Sequence, residues 1–168
     1  MSFIICDATA SDIEQIHYIY SYYVLHTNCS FEEEVPSLLE LEGRMRMVKE
    51  LYLPYLVAKQ GDRVVGYAYV APYRTRSAYR FTIEDSVYVD GNCTGMGIGT
   101  SLLTELITRA GELDYSQVIA VIGGRSNISS IKLHEKLGFV ESGVLKSVGF
   151  KFGEWVDNVL MQLSLKQV

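Results

Sequence analysis

Hydrophobic and polar positions change their spacing several times along the chain, and each change predicts an element. Phe3, Ile4 and Ile5 form a short apolar run that predicts a first strand. Ala10, Ser11 and Asp12 supply cap-type residues for a helix in which Ile13, Ile16, Ile19 or Tyr20, Tyr23 and Val24 recur at helical spacing. The periodicity lapses around Cys29, Ser30 and Phe31. An acidic run, Glu32 to Glu34, reads as a solvated face, and Pro36 leads into a second helix from Ser37 to about Leu53. Two apolar runs, Tyr55 to Lys59 and Val64 to Ala71, flank Gly61-Asp62 and predict a hairpin. Thr82 to Val89 alternates as a strand. Leu102, Leu103, Leu106, Ile107 and Ala110 mark the buried stripe of a helix ending near Gly111. Val118 to Ile122 is a continuous apolar run, the pattern of a strand buried on both faces. Gly123-Gly124 breaks it, Asn127 or Ser126 caps a helix from Ile128 to Leu137, and two more apolar runs, Phe139 to Val148 and Trp155 to Leu165, close the chain. The order β-α-α-β-β-β-α-β-α-β-β predicts a mixed α/β sheet with helices on both faces.

Between the alternating strand and the leucine-rich helix stands CTGMGIGTSLL, with Gly95, Gly97 and Gly99 at alternate positions. Glycines that open a helix expose unpaired N–H groups at the positive end of the helix dipole, which suits phosphate. Spacing removes two phosphate-binding classes. A P-loop needs a Lys after its last glycine and none is near, while Gly-x-Gly-x-x-Gly would require glycine at Thr100 or Leu102. What remains is x-x-Gly-x-Gly between a strand and a helix, which by itself also fits a turn with no ligand.

Length and composition fit one globular domain over residues 1–168 with a sizeable core, at 48% hydrophobic and 21% charged residues. A formal net charge of −5 gives no support to general nucleic-acid binding. The N-terminus lacks the basic start of a signal peptide, and no apolar stretch approaches about 18 residues, so neither secretion nor membrane insertion is expected. Three cysteines without metal-ligand spacing fit reduced thiols in a cytoplasm, and no metal is expected. One segment departs from the acidic average: PYRTRSAYRF holds Arg74, Arg76 and Arg80 beside Tyr73, Tyr79 and Phe81. It reads either as a solvated turn with arginine stems packed on aromatics or as a site for a carboxylate or phosphoryl-type oxyanion. His17 and His26 read as ordinary surface or packing histidines, and Phe31 as a core plug or the wall of a site.

Several stretches taken together carry a more specific signal. YLVAKQGDRVVGYAYVAPYRTRSAYRFTIEDSVYVD, GMGIGTSLL, VIAVIGGRSNISSIKLHEKLGF and VGFKFGEW resemble the phosphinothricin N-acetyltransferase family of the GNAT superfamily, from about Ile4 to Leu163. The resemblance implies a twisted, mostly antiparallel sheet of about six or seven strands, splayed between the Thr82 to Val89 and Val118 to Ile122 strands, with the pantetheine of acetyl-CoA in the gap. It implies that the backbone of Val87, Tyr88 and Val89 pairs with pantetheine amides. The amides of Gly95, Met96, Gly97, Ile98, Gly99 and Thr100 would hold the pyrophosphate, and Asn127 would contact the pantetheine arm with Ser130 close by. Thr94 stands where the superfamily usually has Arg or Gln, a loss that weakens coenzyme A binding without touching the backbone amides.

The same resemblance makes Glu84 the base for the acceptor amine, acting directly or through water, and His134 an acid, an assisting base or a structural residue. Phe31, Arg74, Arg76 and Tyr79 become the acceptor site, with arginine for an oxyanion and aromatics for a short aliphatic chain. The implied reaction is acetyl transfer from acetyl-CoA to the α-amine of a small amino acid of phosphinothricin or methionine sulfoximine type, by direct attack in a ternary complex. A homodimer is expected, since the family is commonly dimeric. Acetylation of another small amine and acetyl-CoA sensing without turnover remain as alternatives, and the arginines argue against a polycationic acceptor.

Overall fold

The computed structural model describes residues 2–166. Seven strands form one sheet in the order β1-β2-β3-β4-β5-β7-β6. They are β1 (Ile4–Asp7), β2 (Tyr55–Gln60), β3 (Arg63–Pro72), β4 (Thr82–Val89), β5 (Gln117–Gly123), β6 (Val140–Lys151) and β7 (Glu154–Ser164). Four helices, α1 (Ile13–His26), α2 (Leu38–Glu50), α3 (Ile98–Glu112) and α4 (Ile128–Lys136), fall where the spacing places them. The second helix stops at Glu50 rather than Leu53, because Tyr52 takes a left-handed φ of 57° and the chain turns into β2. Its start follows from Ser37, whose hydroxyl accepts from the Glu40 amide at 3.2 Å.

The core lies where β2, β3 and β4 meet the helices. In β2, Tyr55, Leu56, Val57 and Ala58 are all buried, because α2 and α3 both pack on that strand. The approach of α3 to β3 depends on Gly66, where a β-carbon would come within 3.0 Å of Ile98 and 3.1 Å of Leu102. On α1, the residues Ile13, Ile16, Ile19, Tyr20 and Val24 are buried as their spacing requires. In β5 only Val118, Ala120, Ile122 and Gly123 are fully buried, whereas Ile119 and Val121 are half-buried. That continuous apolar run is therefore covered more completely on one face than on the other.

All neighbouring strands are antiparallel except β4 and β5. These two run parallel and pair only from Thr82↔Gln117 to Asp85↔Ala120, after which they part. Beyond that point β4 keeps its partner β3 as far as Gly66↔Val89, and β5 keeps β7 as far as Gly123↔Asn158. The sheet thus opens in its middle while each lip of the opening stays paired to its other neighbour.

Candidate active site

The opening between β4 and β5 leads into a cavity of about 870 Å³. Its walls include Glu84 to Val89 of β4, Ala120 to Gly123 of β5, Thr94, Gly95 and Gly97 to Thr100 of the glycine loop, Asn127 before α4 and His134 on it, and Tyr20, Tyr23 and Cys29 to Glu32 at the end of α1 and beyond. Strand alternation decides which groups face it. The carbonyl of Phe81 accepts from Ser116 and Gln117 on the β5 side, and that of Thr82 accepts from Tyr73 on the β3 side. Carried along the strand, this alternation turns the backbone of Val87 and Val89 toward the gap and that of Tyr88 toward β3. Of the three residues expected to offer free backbone groups, Val87 turns them to the gap, Val89 faces the gap but is engaged by the Tyr23 hydroxyl, and Tyr88 faces β3 instead. The Tyr23 hydroxyl donates to the Val89 carbonyl at 2.8 Å and lies 3.4 Å from its amide.

At one end of the cavity, Gly95 and Gly97 adopt left-handed φ values of 77° and 80° with open space where a β-carbon would stand. Gly97 is the N-cap of α3 and no side chain caps that helix, so the amides of its first turn point freely outward. Met96 lies outside the lining and is exposed. The Thr94 hydroxyl turns back to the Gly91 carbonyl at 3.3 Å. A pyrophosphate fits this donor set, which is backbone throughout. Asn127 and Ser130 also line the cavity, and Asn127 has structural duties: its Oδ1 accepts from the Ser130 amide at 3.3 Å and its Nδ2 contacts Cys29 Sγ at 3.2 Å.

At the other end, adjacent residues of β4 project to opposite faces. Glu84, Ser86 and Tyr88 share the face of α1, where the Tyr88 ring meets Tyr20 and Tyr23 at centroid distances of 5.2 and 5.1 Å. Asp85 faces α4. Its Oδ2 lies 3.0 Å from His134 Nε2, and the two side chains are 2% and 3% exposed. His134 Nδ1 donates to the Ser130 carbonyl at 2.7 Å, so both ring nitrogens are engaged, and the ring edge packs on Phe139. Burial opposes the imidazolium, but the hydrogen bond and charge of Asp85 outweigh it and hold His134 above its ordinary pKa. The other Asp85 oxygen, Oδ1, is buried without a partner among the described residues. Glu84 is pushed above the usual carboxylate range by burial first and by the Asp85 charge second, against the pull of Arg74.

Phe31 lines the cavity, but Arg74, Arg76 and Tyr79 do not; all three are exposed on the segment that leads into β4. Arg74 stacks on Tyr73 with its guanidinium carbon 4.5 Å from the ring centroid, and Arg80 lies 4.6 Å from that of Phe81. Arginine stems on aromatics are thus the dominant arrangement, with Arg74 alone acting electrostatically on Glu84. The sequence reading missed Asp85, Tyr69 and Ser86. Ser86 shares strand parity with Glu84, which is a usable signal, and Tyr69 sits opposite it across the β3–β4 pair. The Asp85–His134 contact spans 49 positions and has no local signature.

A sheet opened at a parallel pair, with backbone-only anion donors at one end and a carboxylate with raised pKa at the other, defines a coenzyme A-dependent acyl transferase. The Acetyltransferase (GNAT) domain family matches residues 5–160, and the chain belongs to it. It is 48% identical over 154 residues to phosphinothricin N-acetyltransferase of Alcaligenes faecalis, covering 92% of this chain and 78% of that one. It is 37% identical over 166 residues to L-methionine sulfoximine/L-methionine sulfone acetyltransferase of Pseudomonas aeruginosa, covering 98% and 96%. Among solved structures, a GNAT superfamily phosphinothricin acetyltransferase from Sinorhizobium meliloti in complex with acetyl-CoA superposes with a TM-score of 0.93 at 42% identity, covering 98% of this chain and 89% of that one. No helix among the described residues is long and apolar enough to cross a membrane, and those residues hold no cluster suited to a metal ion.

Proposed function

We propose that the protein acetylates the α-amine of a small amino acid carrying a tetrahedral side-chain group, of phosphinothricin or methionine sulfoximine type. One observation carries the reading: Glu84 and Asp85, neighbours on β4, both border the cavity but face opposite sides of the sheet where it opens. Acetyl-CoA, when bound, supplies the thioester. Val87 and Val89 offer gap-facing backbone groups to its pantetheine arm, and the amides from Gly95 to Thr100 offer donors to its pyrophosphate. Asn127 and Ser130 border the same arm.

The acceptor arrives mostly as an ammonium and must lose a proton before attack. Glu84 takes that proton, directly or through one water, and its raised pKa makes it a better base than an exposed glutamate. On the opposite face His134 shares a proton with Asp85, and this pair is the source of the proton that the departing thiolate takes up. Phe31 packs the acceptor's aliphatic chain and Arg74 draws its acidic group, with Arg76 and Tyr79 farther out on the same segment.

Two coarser features complete the proposal. The protein works as a homodimer, supported by the exposed apolar strip Val148, Phe150, Phe152 and Trp155 at the β6–β7 turn. It works in the cytoplasm, supported by three free thiols. Thiol release measured across a panel of amino acids, phosphinothricin, methionine sulfoximine and polyamines tests the central claim. Turnover is expected with the tetrahedral amino acid analogues; acetyl-CoA binding without turnover of any amine would replace the enzyme with a sensor.

A further inference from the structure

The segment between α1 and α2 carries Phe31 into the cavity, yet its backbone is held from the far edge of the sheet. Lys151, the last residue of β6, is 2% exposed, and its ammonium donates to the Thr27 carbonyl at 2.9 Å and the Ser30 carbonyl at 2.7 Å. Its partners there are carbonyls rather than carboxylates, so the charge is buried against its own preference, and burial lowers its pKa. A lysine with three donors is suited to satisfying two carbonyls at once.

The surroundings are cut to receive the same segment. At Gly149 a β-carbon would come within 2.3 Å of the Phe31 ring, so the ring lies in the notch that this glycine leaves in β6. At Gly123 of β5 a β-carbon would collide with the Asn28 carbonyl at 2.1 Å and approach Phe31 at 3.1 Å. Gly149 and Lys151 stand two apart on one strand and therefore share a face. One fixes the backbone before Phe31 and the other accepts its ring.

We propose that Lys151 is a positioning residue for the acceptor, setting Phe31 against the cavity through the Thr27 and Ser30 carbonyls. The proposal rests on Phe31 belonging to the acceptor site. The glycine loop and the first turn of α3 lie on other elements, and the held segment meets the donor side only where Cys29 touches Asn127.

The test is a double-mutant cycle on steady-state constants for L-methionine sulfoximine and acetyl-CoA. Lys151→Met should raise the KM for methionine sulfoximine about tenfold or more, because displacing a substrate-positioning ring is felt strongly. The KM for acetyl-CoA should move less than about twofold. In a Phe31→Ala background, Lys151→Met should change the acceptor KM by less than about twofold, because its target is already gone. Gly149→Ala, which fills the notch without touching the ammonium, should give the same split and keeps the idea testable if Lys151→Met does not fold. Equal losses with and without Phe31, equal effects on both substrates, or an unchanged acceptor KM in Gly149→Ala would overturn the proposal. An unchanged acceptor KM in Phe31→Ala alone would overturn the acceptor site itself, and Lys151's role with it.

Discussion

A carboxyl group buried beside another acid, as Glu84 is beside Asp85, resists ionisation, and this has opposite consequences for stability and for catalysis. Its folded pKa is raised, so its favourable contribution to stability is complete below the ordinary glutamate range and is lost as pH rises through the raised value. At neutral pH the wild type therefore carries a penalty that glutamine does not. Glu84→Gln is expected to melt at the same or a higher temperature at pH 7. Its kcat should fall by about 10² to 10⁴, with acetyl-CoA affinity unchanged. The kcat–pH profile of the wild type should show an acid limb above the ordinary glutamate pKa, and the variant should lack it. An unchanged kcat would remove Glu84 from the reaction. The resemblance points to Glu84, and the structure finds it half-buried on the cavity wall. The sequence could not reveal the cause of its raised pKa, since burial depends on packing from elsewhere in the chain.

At the scale of elements, β4 and α4 are tied by the Asp85–His134 pair at the last rung before the sheet opens. His134's raised pKa fixes the sign: the pair's full contribution is present below about pH 6.5. It is lost as pH rises through the folded value. Asp85→Ala should lower stability in urea by about 3–5 kcal/mol, since it strands a buried partner. Asp85→Asn can still donate to a neutral Nε2, so it should approach wild-type stability at pH 9 and fall away from it at pH 6. Equal deficits at both values would mean that the pair shares no proton.

The elements were the most legible part of the chain. Thr82–Val89 matches the alternating run end to end, α1 and α3 follow their apolar stripes, and α4 starts at its Asn127 cap, because period and caps are local properties. In the PYRTRSAYRF cluster, Arg74 and Arg80 each lie over the aromatic ring next to them in sequence, an arrangement that composition alone does not distinguish from an anion site. Tyr88's backbone was assigned to the gap because a run of three was carried over whole, whereas a strand can offer only alternate residues to one neighbour.

Across the whole molecule, the seam between β4 and β5 leaves two half-sheets, β1 to β4 and β5 to β6, joined by four parallel rungs and the chain crossings. A ligand lying along Val87 and Val89 would bridge them. Acetyl-CoA at about 100 times its Kd should add about 2.7 kcal/mol to the unfolding free energy. Hydrogen exchange should slow at the Val87 amide more than at Tyr88, whose amide already faces β3. Equal protection of both would place the pantetheine elsewhere.

One end of this cavity presents peptide groups, those of the glycine loop, and the other presents side chains such as Phe31 and Glu84. Peptide groups are common to every sequence, so most point mutations cannot rewrite the coenzyme site; only those that forbid a left-handed glycine, as at Gly97, reach it. Side chains change with a single codon. The two substrates are consequently recognised at different evolutionary speeds, and a lineage with this fold can exchange one amine for another while the acetyl donor stays the same.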